Sequence, residues 1–364
     1  MNKNFLYILM TLPYLKAKGG VANFYNYVLP YLNDSNFKFD LLEIGSAKNK
    51  KKLFYRLRDQ LRFKTHLKYK PDLVFINPSI EIKSFLRDGL FVWQAKRKNL
   101  PVLVFFHGWN NKFAEKVSTK FYWFFKKTFA KADCFIVLAS DFKKQLREWG
   151  IKVPIYILNT AVDDRLLKDF NIREKIKQAK KNKVLKILFL ARIEKEKGIF
   201  ETIDAFNMLV LKKLSVKLSI AGDGPALKEV KEYVNFLHIN QYVNFLGYVT
   251  GKKKIETFIS HDIYCFPTYY GEGMPVSLLE AMAFGLPVVT RPVGGIKDFF
   301  ENGKHGFLTN SKDPKILAEL MEKILKNDHL FKSISLYNHQ FVKKNFMASK
   351  VAEKLKNIIK SCVN

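Results

Sequence analysis

Short, continuous apolar runs alternate with longer amphipathic stretches along most of the chain. In the first half the runs Phe5–Met10, Phe39–Ile44, Asp72–Ile76, Val102–Phe106, Cys134–Leu138 and Ile155–Leu158 read as strands. The 3.6-residue patterns between them, Val21–Leu32, Ile82–Lys98 and Lys112–Lys131, read as helices. β-branched and aromatic runs without polar alternation mark strands covered on both faces, which means parallel strands in βαβ units. Asp169–Lys183 is polar and basic without a strand signal, and reads as a linker. The pattern then restarts with Leu185–Leu190, Val216–Ala221, Val243–Leu246, Ile263–Phe266 and Val288–Thr290. The economical architecture is two doubly wound α/β domains, whose ligands lie beyond the carboxyl ends of the strands.

Composition changes this picture little. With 364 residues, 48% of them hydrophobic, the chain is long enough for two cores. Cys134, Cys265 and Cys362 are too few and scattered for a disulfide framework or a zinc site, and the first two sit in apolar runs as small buried hydrophobes. A reducing, cytoplasmic setting is the expectation. The apolar run Phe5–Met10 is short and Pro13 interrupts it, so a first strand fits it better than a signal peptide. Nowhere does an apolar stretch approach the roughly 18 residues of a membrane-spanning helix.

The charge is the abnormal property. The net value is +30, and the residues up to Thr160 carry 29 Lys/Arg against 11 Asp/Glu, a net of +18. Such a field draws nucleic acid, anionic lipid or phosphorylated ligands without choosing among them.

Three segments carry candidate chemistry. Arg192 ends the strand Leu188-Phe189-Leu190-Ala191, and Lys197-Gly198 opens the next helix. A guanidinium fork and a compact ammonium converging there suit a diphosphate, although Glu194, Lys195 and Glu196 between them also fit a solvated charge run. Ala221-Gly222-Asp223-Gly224-Pro225 lacks the spacing of either standard phosphate loop and reads as a βα turn. The richest segment runs from Pro267 to Met282. A strand ends at Phe266, a glycine-rich loop carries Glu272, and Pro275 opens a helix containing Glu280. Free amides at such a helix start form an anion site, and acids beside it are tolerable when sugar hydroxyls donate to them.

Glu272 and Glu280, separated by seven residues and followed by Ala281–Val289 and Gly294-Gly295-Ile296, resemble the signature of the retaining GT-B glycosyltransferases of family 4. Arg192 and Lys197 match that family's phosphate-binding pair. Gly19-Gly20 resembles its N-terminal glycine loop, Phe106-His107-Gly108 its histidine-bearing strand end, and Asn159–Asp163 its crossing segment. Asp298 departs from the Glu more usual after the Gly-Gly turn. The resemblance implies a GT-B fold: an acceptor-side domain over 1–165, a nucleotide-sugar domain over 166–345, and a last helix at about 346–364 packed back on the first.

It further implies that Glu272, with the backbone of Gly273 and Met274 ahead of Pro275, holds the donor sugar and that Glu280 accepts from ribose. Arg192 and Lys197 neutralise the departing diphosphate, while Gly19 and Gly20 also meet the donor and His107 faces the reaction centre. A satisfied strand-end histidine is the plainer reading of His107. The donor is expected to be UDP- or GDP-linked, with no cofactor beyond it, and the acceptor a glycan or lipid-linked sugar of bacterial surface polysaccharide. No Asp-x-Asp triplet occurs in the chain, so the cations replace a metal in this reading. An epimerase on the same fold and a basic nucleic-acid binder are the alternatives, the second without a recognised nucleic-acid module. Finally, Lys48–Tyr69 interleaves basic residues with Leu53, Phe54, Leu57, Leu61 and Phe63, and Lys112–Lys131 contains Phe121–Lys127. Both suit peripheral docking on an anionic membrane face, and the aromatics of the second also suit a core.

Overall fold

The computed structural model describes residues 5–17, 19–45, 52–181, 184–271 and 273–363. The chain divides into two compact units, Met1–Asp163 with Ala348–Asn364, and Asp164–Met347. The first contains β1 (Leu6–Pro13), β2 (Phe37–Ile44), β3 (Leu73–Ile76), β4 (Ser79–Ile80), β5 (Val102–Phe106), β6 (Gly108–Trp109), β7 (Cys134–Val137) and β8 (Ile155–Ile157). The second contains β9 (Leu185–Leu190), β10 (Val216–Ala221), β11 (Val243–Gly247), β12 (Ile263–Phe266), β13 (Val288–Thr290) and β14 (Gly306–Leu308). The helices of the first unit are α1 (Gly20–Val28), α2 (Lys52–His66), α3 (Ile82–Lys96), α4 (Asn111–Ser118), α5 (Tyr122–Lys127) and α6 (Ser140–Glu148). Those of the second are α7 (Ile172–Lys181), α8 (Ile199–Leu211), α9 (Leu227–Phe236), α10 (Gly251–Ile259), α11 (Val276–Ala283), α12 (Pro314–Leu325) and α13 (Asp328–Asn345). The last helix, α14 (Ala348–Val363), returns to the first unit.

Each unit is built on a six-stranded parallel sheet, ordered β2-β1-β3-β5-β7-β8 in the first and β11-β10-β9-β12-β13-β14 in the second. The apolar runs are covered on both faces: every residue of β3, β5, β7 and β12 is buried. Strand order reverses beside β1 and beside β9, so in each sheet the crevice opens at the loops leaving those strands.

Three local expectations are corrected. The bridge Asp169–Lys183 carries α7 rather than a linker, because Lys175 turns inward and donates to the carbonyls of Phe258 and Phe284 at 2.7 and 3.0 Å. Lys112–Lys131 is not one helix: it breaks after Ser118, and Phe124 and Phe125 enter the core while Trp123 stays exposed. The strand β14 went unread because three residues leave almost no periodicity. The cysteine reading also changes, for Cys134 is bonded to Cys362, whose Cα lies 6.1 Å away. Sequence spacing of 228 residues hides a pair that the return of α14 brings together. Lys356 of the same helix pairs with Asp34 at 2.9 Å, and Ala348 N–H donates to the Val162 carbonyl at 2.8 Å.

Four histidines are held neutral by burial. His107 is pushed down to about 3 and His261 to about 4, and His305 and His339 are lowered in the same direction. The unfolded chain takes up protons near pH 6.5, whereas the folded chain resists them to lower pH. Their contribution to stability is therefore complete above about 6.5 and is lost as pH falls toward the folded values. The melting temperature should drop on acidification from pH 6.5 to 5. In His261→Gln the slope of unfolding free energy against pH should be shallower by up to about 1.4 kcal/mol per unit. Denaturant titrations at several pH values measure it, and an unchanged slope would count against burial as the cause.

Candidate functional site

In the second unit the crevice beside β9 is bounded by the loop leaving β9 and the loop leaving β12. Contacts that leave little room for adjustment hold the first. Gly222 has φ near +143°, and a Cβ there would meet the Ala191 carbonyl oxygen at 1.9 Å, so only glycine lets the turn after β10 lie against Ala191-Arg192-Ile193. That turn donates and accepts along the same stretch, from Ile193 N–H to Asp223 O at 3.0 Å and from Ala226 N–H to Ile193 O at 3.1 Å. The segment Gly222–Pro225 is thus a structural βα turn that braces Arg192. Arg192 itself is largely exposed, with Glu194 3.2 Å away.

The second loop is tied to the first through one acceptor. The Glu196 carbonyl receives the N–H groups of Tyr269 and Tyr270, at 3.0 and 3.2 Å, and the hydroxyl of Thr268 at 3.2 Å. Gly198, with φ +80°, lies so close to the Pro267 carbonyl that a Cβ would approach it to 2.4 Å. Lys197 consequently places its ammonium 4.1 Å from the centre of the Tyr270 ring. From beneath, Arg291 on the segment after β13 donates to the Pro267 carbonyl at 2.7 Å. Gly295 N–H donates to Gly273 O at 2.8 Å, so the Gly294-Gly295 turn supports the far end of the same loop. Glu272 lies outside the described residues, between Gly271 and Gly273.

Pro275 is the N-cap of α11 rather than its first helical residue, and Met274 beside it is buried. Glu280, in the body of α11, is buried at 1% exposure and meets Lys254 of α10 at 2.6 Å. Tyr264 of β12 joins the start of α11 to the end of β9, its hydroxyl donating to Leu190 O at 2.9 Å and meeting Ser277 Oγ at 2.8 Å. Arg192, Lys197, the Gly273–Pro275 backbone and Glu280 therefore belong to one strand-end edge of one unit. Lys254 escaped the sequence reading, because Lys252, Lys253 and Lys254 are alike in sequence: Lys253 reaches the Leu246 carbonyl and Lys252 faces Glu256.

In the first unit the loops after β1, β3 and β5 also meet. His107 N–H donates to Pro78 O at 3.0 Å, and its Nε2 lies 3.1 Å from both Tyr25 Oη and Asn77 Oδ1. Tyr25 donates to Asn77 Oδ1, and Asn77 Nδ2 donates to Thr11 O at 2.7 Å. Phe105 lies against the imidazole with ring centres 3.8 Å apart. Burial raises the Tyr25 hydroxyl well above its usual range and lowers His107, so the cluster is neutral. A neutral imidazole offers a hydrogen bond rather than a charge to any substrate group it meets. Gly19 and Gly20 start α1, and a Cβ at either would meet no atom within 4 Å. Tyr25 and Asn77 are further members that sequence reading missed.

Two doubly wound α/β units, the second with cations and a buried glutamate at one strand-end edge, define the fold class, and comparison with known proteins makes the assignment. The model described as "Glycosyl transferases group 1" matches residues 171–341, and that described as "Glycosyltransferase Family 4" matches residues 34–166. The chain belongs to the family-4 glycosyltransferases and has the GT-B fold. It is 28% identical over 260 residues to the uncharacterized glycosyltransferase MJ1069 of Methanocaldococcus jannaschii, covering 70% of this chain and 66% of that protein. With the capsular polysaccharide biosynthesis glycosyltransferase CapM of Staphylococcus aureus it shares 29% identity over 170 residues, 47% of this chain and 44% of that one. The matched stretches thus cover less than two thirds of these relatives' length. Among solved structures, a glycosyltransferase from Rickettsia africae ESF-5 superposes with TM-score 0.79 at 20% identity over 99% of both chains. Anabaena Alr3699/HepE, crystallised with UDP and glucose, superposes with TM-score 0.73 at 16% identity over 98% of this chain and 100% of that one.

The Lys254–Glu280 pair should prove energetically coupled. Lys254→Met and Glu280→Gln should each destabilise the protein by about 1–3 kcal/mol, while the double variant costs about 1–2 kcal/mol less than their sum. Urea denaturation of the four proteins completes the cycle, and strict additivity would break the pair as a unit.

Proposed function

We propose that the chain is a retaining, metal-independent transferase. It moves a hexose or N-acetylhexosamine from a UDP- or GDP-linked sugar to a glycan or lipid-linked acceptor in bacterial surface polysaccharide or lipopolysaccharide synthesis. The observation that carries this reading is the β9–β12 crevice, where Arg192 and Lys197 stand on the loop after β9, locked to the loop after β12 through the Glu196 carbonyl, with Glu280 buried beyond them. Breaking the anomeric C–O bond develops negative charge on the leaving phosphate oxygen and positive charge on the sugar. Arg192 and Lys197, held before the charge develops, stabilise the leaving oxygen without reorganising. The role of Glu272 is to accept hydroxyl hydrogen bonds from the sugar and to stabilise the positive character at C1. Glu280 accepts from ribose, with Lys254 fixing the carboxylate's orientation. The relation to CapM supports a polysaccharide acceptor, and the UDP and glucose of Anabaena Alr3699/HepE support a nucleotide-sugar donor. The acceptor is met at an anionic membrane surface, and nucleic acid is not a partner. Among the described residues no helix is long and apolar enough to cross a membrane.

Glu272→Gln should lower kcat about a hundredfold or more, because it removes charge where the transition state needs it. Glu280→Gln should act mainly on donor KM, because ribose is held alike in ground and transition states. Initial rates on both variants test the assignment, and the reverse pattern overturns it. The product should keep the donor's anomeric configuration by NMR, and turnover should survive EDTA. Restoration of lost turnover by magnesium or manganese would transfer leaving-group stabilisation from the two cations to a metal. Recovery of an epimerised nucleotide sugar with no transfer product would replace transfer by epimerisation.

A further inference from the structure

We propose that the outward face shared by α2 and α3 is the surface on which the protein docks to an anionic lipid bilayer. This deepens the membrane part of the proposed function and rests on it, but it pairs α2 with a helix that sequence patterning did not single out. Of the two basic, aromatic segments, Lys112–Lys131 spends Phe124 and Phe125 on the core. Residues 48–51 of the other lie outside the described residues, and its helical part is α2. Beside α2 stands α3, whose sequence pattern reads as a helix.

On α2, Leu57 and Leu61 are 60% and 67% exposed, one turn apart. On α3, Ile82, Leu86, Leu90 and Trp93 occur at spacings of four, four and three, and are 46%, 37%, 41% and 42% exposed. Such spacings put each set on one side of its helix. The two helices are joined by Gln94, which donates to the Gln60 side chain, and by Gln60, which donates to the Arg87 carbonyl at 3.0 Å. Between them lies a groove of about 510 Å³, with Leu61 and Trp93 in its walls and Lys64, Arg97 and Lys98 around it. The Arg97 guanidinium sits 4.8 Å from the centre of the Trp93 ring.

Charge decides the occupant. The carboxylates within α2 and α3 are Asp59 and Asp88, and both are buried. Asp59 accepts from Arg58 and Gly45 N–H, and Asp88 accepts from Arg87 and Ser84. These helices therefore turn no carboxylate outward: their exposed side chains are apolar, cationic or, as at Thr65, neutral, with Glu81 at the N-cap of α3. Apolar stripes framed by Arg and Lys, with a half-exposed tryptophan, match a bilayer interface: leucines enter the acyl boundary, long cationic side chains reach the headgroups and indole takes the level between. A nucleic acid would use the cations but leave the leucines in water. The surrounding part of the chain, net +18 up to Thr160, strengthens the attraction.

Vesicle co-sedimentation at low salt tests the surface. The 364-residue chain should pellet with phosphatidylcholine vesicles containing phosphatidylglycerol, not with pure phosphatidylcholine, and be released by salt. An apolar variant, Leu61→Ser with Leu90→Ser and Trp93→Ser, and a charge variant, Lys64→Glu with Arg97→Glu, should each weaken partitioning about tenfold or more. All five positions are exposed or border the groove, so circular dichroism and UDP binding by calorimetry should match wild type in both variants. Wild-type binding by both variants overturns the surface assignment alone. Failure of the unaltered protein to bind anionic vesicles overturns the membrane reading with it. A wild-type dimer that the apolar variant dissociates gives the face to a second copy and overturns the proposal. Loss of UDP binding by the unaltered protein would strike the donor reading instead and leave this one standing.

Discussion

The candidate donor site depends on the approach of two backbone loops. The single carbonyl of Glu196 gathers three donors from Thr268, Tyr269 and Tyr270 and so fixes the loop after β12 against the loop after β9. Lys195–Lys197 forms a single 3-10 turn, and the link sets that turn, and with it Lys197, against the loop that leads to α11. Gly198 permits this approach by presenting no Cβ to the Pro267 carbonyl, and Gly222 lets the turn after β10 back the first loop by presenting none to the Ala191 carbonyl. Arg291 and the Gly294-Gly295 turn complete the support from below. Residues that resemble binding groups in sequence are here divided into those that would touch a ligand and those that hold the touching residues still.

Both units bury partnered charges, and they differ in what surrounds them. The second buries ionisable groups and partners them: Glu280 with Lys254, and Lys175 with two main-chain carbonyls while near Asp262. Burial lowers Lys175 to about 7, a cost accepted where its two hydrogen bonds tie α7 to α10 and to the end of α11. The first unit keeps its His107 cluster neutral and turns its cations outward, retaining its acids in buried ion pairs on α2 and α3. An outward field of one sign attracts a surface, whereas fixed, partnered charges recognise a small ligand.

Cys134–Cys362, Lys356–Asp34 and the hydrogen bond from Ala348 to Val162 make α14 an integral layer of the first unit. Contacts that link residues more than 180 positions apart close the first unit late in the chain, so its completion requires the C-terminal helix to have been synthesised.

Much was legible from sequence alone. The strands Val102–Phe106, Leu185–Leu190, Val216–Ala221, Ile263–Phe266 and Val288–Thr290 coincide with the observed ones, because strands covered on both faces are mainly apolar and mark their own limits, Lys186 and Lys217 standing near the first ends of β9 and β10. Glycine turns and the resemblance around Glu280 carried the class of protein. Contacts between distant segments were not legible. Which of three adjacent lysines would meet Glu280, that Lys175 would be drawn into a core, that Tyr25 and Asn77 would enclose His107, and that Cys134 would find Cys362 all depend on helix rotation and on strand order. The sequence alone determined which segments must be hidden from water, since that is a property of each residue's own surface. Tertiary structure alone decided which charges face one another, because electrostatic pairing depends on distances that only the packed chain defines.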